Sequence, residues 1–224
     1  LNDPTAIDVY DVGTGGASGH VFSTYPPTTG ADGRQAPLTI RRQIQQIASR
    51  ALKPAPQAQL LFRMCARLGY KKVLELGTSL GITTLYLSAA SKQITCTSVE
   101  GCPNIASIAS KTLLKHGYHN ANIVNTNLNS GLLNLLNNIG IQDIIFIDAN
   151  HSYQALTDYF NQCVNFIHTN SIIVVDDPYW SREMTKAWNE LRRHNKVTAT
   201  LDIYHMGFVF FNPAFANKHY RIRF

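Results

Sequence analysis

No stretch of the chain approaches the ~18 consecutive apolar residues that a bilayer-spanning helix requires, so the sequence carries no membrane span. Charge is sparse: 15% of the 224 residues are charged against 45% hydrophobic, which suits a buried core and excludes a largely disordered chain. The formal net charge is +6, yet no run of five or more basic residues occurs. Basicity therefore singles out neither nucleic acid nor an anionic ligand. The four cysteines, Cys65, Cys96, Cys102 and Cys163, form no C-x-x-C pair and have no histidine at zinc-ligand spacing; they read as reduced packing thiols. The opening residues LNDPTAIDVYD lack the basic and apolar regions of an export signal, and a cytoplasmic location is expected. A glycine cluster at DVGTGGASG does not match the phosphate loop G-x-x-x-x-G-K-[ST].

Residues 1–37 are rich in Gly, Pro and Thr and read as irregular chain, a loop or lid over whatever follows. Helical patterns over 38–51 and 55–69 come next, separated by the breaker Lys53-Pro54-Ala55-Pro56. Together, residues 1–71 form an amino-terminal loop and helical appendage to a domain spanning 72–224.

From Lys72 onward, β-branched runs alternate with helix-length amphipathic segments, which is the pattern of an α/β domain. The runs are 73–77, 94–100, 122–127, 143–148, 171–177, 197–204 and 207–212, predicting seven strands. Helices are expected near 81–91, 103–117, 130–138, 152–167 and 180–195. These intervals are long enough for right-handed crossovers between parallel strands. Only His205 and Met206 separate the last two runs, so the last strand must turn back antiparallel to its neighbour.

Ligands in open α/β sheets bind beyond the carboxyl ends of the strands. The first strand runs into Glu75-Leu76-Gly77-Thr78-Ser79-Leu80-Gly81, where the glycines allow close backbone approach and the following helix start offers free N–H groups. A tight strand-to-helix turn with no ligand has the same appearance. The second strand ends in Ser98-Val99-Glu100, a carboxylate able to accept hydrogen bonds from a ribose diol. The pyrophosphate turn G-x-G-x-x-G is missing here, which favours a nucleoside without a diphosphate.

The stretch VLELGTSLGITT, followed by SVEGCP, resembles the cofactor-binding half of class I S-adenosylmethionine-dependent methyltransferases, and most closely their catechol O-methyltransferase-like group. The likeness extends over 72–224, through IIFIDANHSY, IIVVDDPYW and the closing GFVFF. It implies a Rossmann-like three-layer sandwich, with a seven-stranded, mostly parallel sheet containing one antiparallel strand and extra amino-terminal helices. It further implies that Glu75, Gly77, Thr78, Ser79 and Gly81 form the turn around the methionine moiety and that Thr83 holds its carboxylate. Glu100 with Gly101 would take the ribose, Asn127 and Leu128 would border adenine, and Asp148 would lie beside the sulfonium.

Asp148, Asp176 and Asp177 close two very apolar strands expected to be neighbours, where unpaired charge would be costly. Three carboxylates there suit Mg²⁺, which could polarise an acceptor hydroxyl. The resembling family's metal-dependent members carry Asp-Asn where this chain carries Asp176-Asp177; alternatively, Asp177 caps a helix starting near Pro178. His151 stands where that family often has lysine and is placed either to take the acceptor's proton or to serve as a hydrogen-bonded loop residue. Tyr179 and Trp180 would wall an acceptor pocket, while Met184 and Trp188 fit the core face of a helix.

The expected activity is therefore methyl transfer to a small-molecule acceptor, through oxygen and with S-adenosylmethionine as cofactor, Mg²⁺ assistance being one variant. A homo-oligomer is compatible with the sequence. One rival is a nucleic-acid methyltransferase, since DDPYW resembles an Asp/Asn-Pro-Pro-Tyr motif. That motif follows a fourth strand, whereas here the segment follows the fifth and has one proline. A non-catalytic S-adenosylmethionine-binding module is the other rival.

Overall fold

Residues 6–10, 39–215 and 218–223 are described by the computed structural model. The alternation after Lys72 is realised as β3 (Lys72–Leu76), α3 (Ile82–Ala89), β4 (Thr95–Glu100), α4 (Pro103–Lys115), β5 (Ala121–Asn125), α5 (Leu128–Ile139) and β6 (Gln142–Ile147). There follow α6 (Tyr153–Cys163), β7 (Ile167–Asp176), α7 (Arg182–Leu191), β8 (Ala199–Asp202), β9 (Met206–Phe210) and β10 (Lys218–Arg221). Ahead of them stand β1 (Ala6–Tyr10), β2 (Thr39–Gln43), α1 (Ile44–Ala51) and α2 (Ala55–Leu68).

The main sheet has eight strands in the order β10-β8-β9-β7-β6-β3-β4-β5, one more than the seven expected. The additional strand, Lys-His-Tyr-Arg, is a short exposed edge with no apolar run to announce it. Among the described strands of this sheet, β9 alone is antiparallel to its neighbours, β7 and β8, and the hairpin before it turns through Ile203-Tyr204-His205. A separate two-stranded sheet pairs β1 with β2. The helix expected over 38–51 therefore begins only at Ile44, its first residues being taken by β2. The rest of the lid expected over 1–37 lies outside the described residues.

The sheet is covered on both faces, in a three-layer α/β arrangement. Residues of alternate parity along each strand separate the two cores. Leu74, Leu76, Ile145, Ile147, Ile173 and Val175 face α5, α6 and α7, whose Leu132, Phe160 and Trp188 are fully buried. Gly207 on β9 accommodates the Trp188 indole, which would stand 2.5 Å from a β-carbon there. Met184 is likewise buried, so both residues are core, as their helical spacing predicts. On the opposite face Val73, Ile144, Phe146, Ile172 and Val174 pack against Leu61 and Cys65 of α2 and Leu87 of α3. All four cysteines are buried free thiols.

This parity has a consequence for the site. Glu75 continues the row of Val73, Asp148 that of Phe146 and Asp176 that of Val174, so these three carboxylates lie on the α2–α3 face. Because α2 leads into the start of β3, it runs opposite to the strand and its amino end lies at the carboxyl edge of the sheet. The Lys53-Pro54 junction is thereby delivered to that edge. No described helix is long and apolar enough to cross a membrane.

Candidate functional site

The chain reverses direction across the sheet at β3, with β4 and β5 on one side and β6 and β7 on the other. Such a switch point opens a crevice beyond the strand ends. Leu76 leads into Gly77 at φ 103°, and Asp148 donates its backbone N–H to the Leu76 carbonyl at 2.8 Å. A β-carbon on Gly77 would stand 2.1 Å from the Asp148 carbonyl oxygen, so glycine is required on steric as well as conformational grounds. The amides of Gly77 and Thr78 both donate to the Val99 carbonyl at 3.0 Å, tying the turn to β4. Ser79 has φ 49° and Gly81 φ 80°, after which α3 begins. Thr83 lies buried in its first turn.

Below the turn, Glu75 is fully buried. Its Oε2 accepts hydrogen bonds from Thr84 and Ser98 hydroxyls, each at 2.5 Å, and Thr78 Oγ1 shares a hydrogen bond with the same Ser98. Oε1 of Glu75 and Oγ of Ser79 are buried with no hydrogen-bond partner. Burial pushes the Glu75 carboxyl up to about 7, against the two hydroxyl hydrogen bonds and the Lys53 charge that hold it down.

Glu100 lies across the turn. Its two oxygens accept the Ser79 amide at 2.9 Å and the Cys102 amide at 2.8 Å, and burial raises it to about 7. Asn125 fixes the loop beyond by donating to the carbonyls of Glu100 and Gly101 at 2.7 and 3.0 Å. Asn127 caps α5, its side chain accepting the Asn129 amide at 2.8 Å, and Leu128 opens that helix. The residues assigned by resemblance to turn, ribose and adenine thus lie along one carboxyl edge, on and beyond β3, β4 and β5.

On the other side of β3, the loop after β6 turns sharply at Asn150, φ 50°, and aims His151 back at the strand ends. Its Nε2 lies 3.5 Å from Asp176 Oδ2 and 3.8 Å from Asp148 Oδ1, at ion-pair range but too long for a formed hydrogen bond. Lys53 enters between the carboxylates. Its ammonium stands 3.2 Å from Asp148 Oδ2, donates a hydrogen bond to Asp176 Oδ2 and lies over the Phe146 ring at 5.7 Å. Burial alone would lower this lysine's pKa; the two carboxylates outweigh it and hold the ammonium firmly charged. Within the pair, burial and the neighbouring Asp176 charge drive Asp148 well up. Asp176 is driven up by burial too, but His151 and Lys53 outweigh that and hold it down as the anion.

Residues 74–178 match the model of a family described as a methyltransferase domain. An O-methyltransferase from Bacillus cereus, solved with S-adenosylhomocysteine, superposes with a TM-score of 0.62 at 16% identity over 75% of this chain and 90% of its own. The O-methyltransferase TomG from Streptomyces achromogenes, involved in tomaymycin synthesis and solved with S-adenosylmethionine, gives 0.63 at 18% identity over 75% and 89%. Over residues 74–178 the chain is thus similar to a methyltransferase domain, and its fold is the one these solved structures share. No curated protein matches it in sequence.

Not every acidic residue expected at this edge joins the centre. Asp148, Asp176 and His151 can bring ligand atoms within 4.8 Å of one another, but Asp177, at φ 42°, turns away, with Oδ1 3.8 Å from His205 Nδ1. It is not the helix cap either; Ser181 caps α7 by accepting the Met184 amide. The donor set therefore fits Mg²⁺ poorly. Two carboxylates remain, their charge is met by an ammonium, and the third group is an imidazole rather than the oxygen that Mg²⁺ prefers. Lys53 was legible in sequence only as part of a helix breaker; no spacing rule marks it.

Around the mouth, Tyr179 donates its hydroxyl to Asp202 and stacks on Tyr204 with ring centroids 5.5 Å apart, while Arg221 of β10 reaches the Tyr179 hydroxyl. Trp180 is 60% exposed and lies 6.0 Å, ring to ring, from His151.

Proposed function

We propose that this methyltransferase moves a methyl group from S-adenosylmethionine to a hydroxyl oxygen of a small-molecule acceptor, with His151 receiving the hydroxyl proton. One observation carries the reading: the glycine turn with Glu100 and the His151–Asp148–Asp176 group flank the same strand end, so a cofactor on one side would meet an acceptor on the other. The unpartnered Ser79 hydroxyl and Glu75 oxygen fit a polar ligand in that crevice.

The cofactor supplies an electrophilic methyl on a positively charged sulfur. The chain's share is to hold Gly77 through Gly81 around the methionine portion, offer Glu100 to the ribose and border adenine with Asn127 and Leu128. Aligning the two reactants removes a large part of the barrier, on the order of 7–11 kcal/mol. Asp148 and Asp176 lie beside the His151 ring, at 3.8 and 3.5 Å from its Nε2, and orient it toward the crevice. Exposed Trp180 beside His151 offers an apolar wall to a flat acceptor.

Mg²⁺ assistance is the weaker variant, because Lys53 already meets the carboxylates. A nucleic-acid acceptor is disfavoured because DDPYW follows β7 rather than β6 and the chain has no concentrated basic run. Titration with S-adenosylhomocysteine should show binding. His151→Ala should lower methyl transfer to hydroxylated acceptors by roughly 10²- to 10⁴-fold with cofactor affinity unchanged; equal turnover in the variant would overturn the assignment of the base. Binding without turnover on any hydroxylated acceptor would point to a non-catalytic module.

A further inference from the structure

We propose that the Lys53 ammonium takes the place of a divalent cation in the acidic centre, so that this methyltransferase works without a metal and its amino-terminal helices are part of the catalytic centre's construction. The inference rests on the methyltransferase reading for its mention of turnover, but its main readout, metal binding, does not.

Four observations combine. The side chain of Lys53 is 9% exposed and that of Asp176 1%, so the charges meet away from bulk water, where an unpaired partner is strongly unfavourable. The ammonium contacts both Asp148 and Asp176, the two carboxylates that a bridging cation would share. The lysine is locked from both sides: α1 ends at Ala51, and Pro54 opens α2, whose Leu61 and Cys65 are wholly buried against the sheet. Finally, Ile47 of α1 packs against Leu80 of the glycine turn and Cys102 and Ile105 at the start of α4, so the segment carrying Lys53 rests on the cofactor edge as well.

In this arrangement Lys53 is a positioning residue. It holds Asp148 and Asp176 together beside His151 without touching the reacting atoms. During transfer, the acceptor O–H bond breaks with its proton passing to His151 Nε2. The oxygen then forms the new bond to the methyl carbon, and the carbon–sulfur electron pair returns to sulfur. The positive charge lost from the sulfonium reappears on the imidazole, and no metal enters the balance.

The test is Mn²⁺ titration of the full chain, followed by electron paramagnetic resonance of the free ion, on wild type, Lys53→Ala and Lys53→Arg. Wild type and Lys53→Arg should leave Mn²⁺ free. Lys53→Ala, which exposes Asp148, Asp176 and His151 as ligands, should gain a site at least roughly tenfold tighter. Wild-type methyl transfer should be unchanged by EDTA. Stoichiometric Mn²⁺ binding to wild type, or a folded Lys53→Ala with no gain in affinity, would overturn the proposal. Should Lys53→Ala fail to fold, the wild-type titration decides alone. S-adenosylhomocysteine binding, measured on the same samples, separates failure of the methyltransferase reading from failure of this one.

Discussion

Gly77 faces the carbonyl of Asp148 so closely that a β-carbon would sit 2.1 Å from its oxygen. The backbone there also adopts φ 103°, a conformation that L side chains rarely take. Gly77→Ala should therefore force the β3 and β6 ends apart, combining backbone strain with overpacking at a total cost of about 3 kcal/mol. Because those two ends frame the proposed cofactor edge and the acidic centre, S-adenosylhomocysteine affinity should fall with stability. Urea denaturation and calorimetric titration check both, and an unperturbed variant would mean that the two loops move independently.

Glu75 makes stability depend on pH near neutrality. Its carboxyl is pushed from an ordinary 4.5 up to about 7 by burial, so the folded chain binds this proton more tightly than the unfolded one. The stabilisation is fully present below about 4.5 and is lost as pH rises through about 7. Glu100, also raised to about 7, acts in the same window and with the same sign. Urea unfolding at pH 5 and pH 8 should show wild type losing on the order of 3 kcal/mol more than Glu75→Gln across that interval. Parallel pH profiles for the two proteins would contradict a buried, proton-holding Glu75.

Lys53 and Asp176 should be strongly coupled in stability. Removing the lysine leaves a nearly inaccessible carboxylate facing a second one, and breaking such a pair costs about 3–5 kcal/mol. Lys53→Met alone should be destabilised by that order, whereas Lys53→Met with Asp176→Asn should recover much of the loss. A double-mutant cycle in urea measures the coupling. Additive single effects would show that the two groups are separately solvated.

These couplings mark where sequence reasoning reached and where it stopped. The strand runs from 73 to 212 were legible because buried parallel strands leave unbroken β-branched segments, and the antiparallel β9 followed from a link too short for a crossover. The β10 edge left no such trace, being four polar or amphipathic residues, and β2 hid inside an amphipathic pattern that α1 continues. Gly77, Glu100, Asp148 and Asp176 could be placed at one edge because strand ends are local features. Lys53 could not, since its partners are distant in sequence and are brought to it by the direction in which α2 crosses the sheet. Asp177 shows the converse: adjacency to Asp176 suggested a shared ligand, but a positive φ and the strand's alternation send its side chain elsewhere.

Trp180 offers a way to separate acceptor recognition from chemistry. The indole is 60% exposed and its ring centroid lies 6.0 Å from that of His151, whereas Tyr179 beside it is held by Asp202, Arg221 and Tyr204. An aromatic surface left open next to the proposed base has little folding role, because it buries little apolar area. Trp180→Ala should thus leave the melting temperature nearly unchanged and S-adenosylhomocysteine affinity intact. Loss of one aromatic wall, worth about 1–2 kcal/mol to a flat ligand, should raise KM for an aromatic acceptor roughly tenfold while kcat changes little. A fall in kcat with KM constant would instead show that the indole orients His151, placing Trp180 in the support of the base rather than in the acceptor wall.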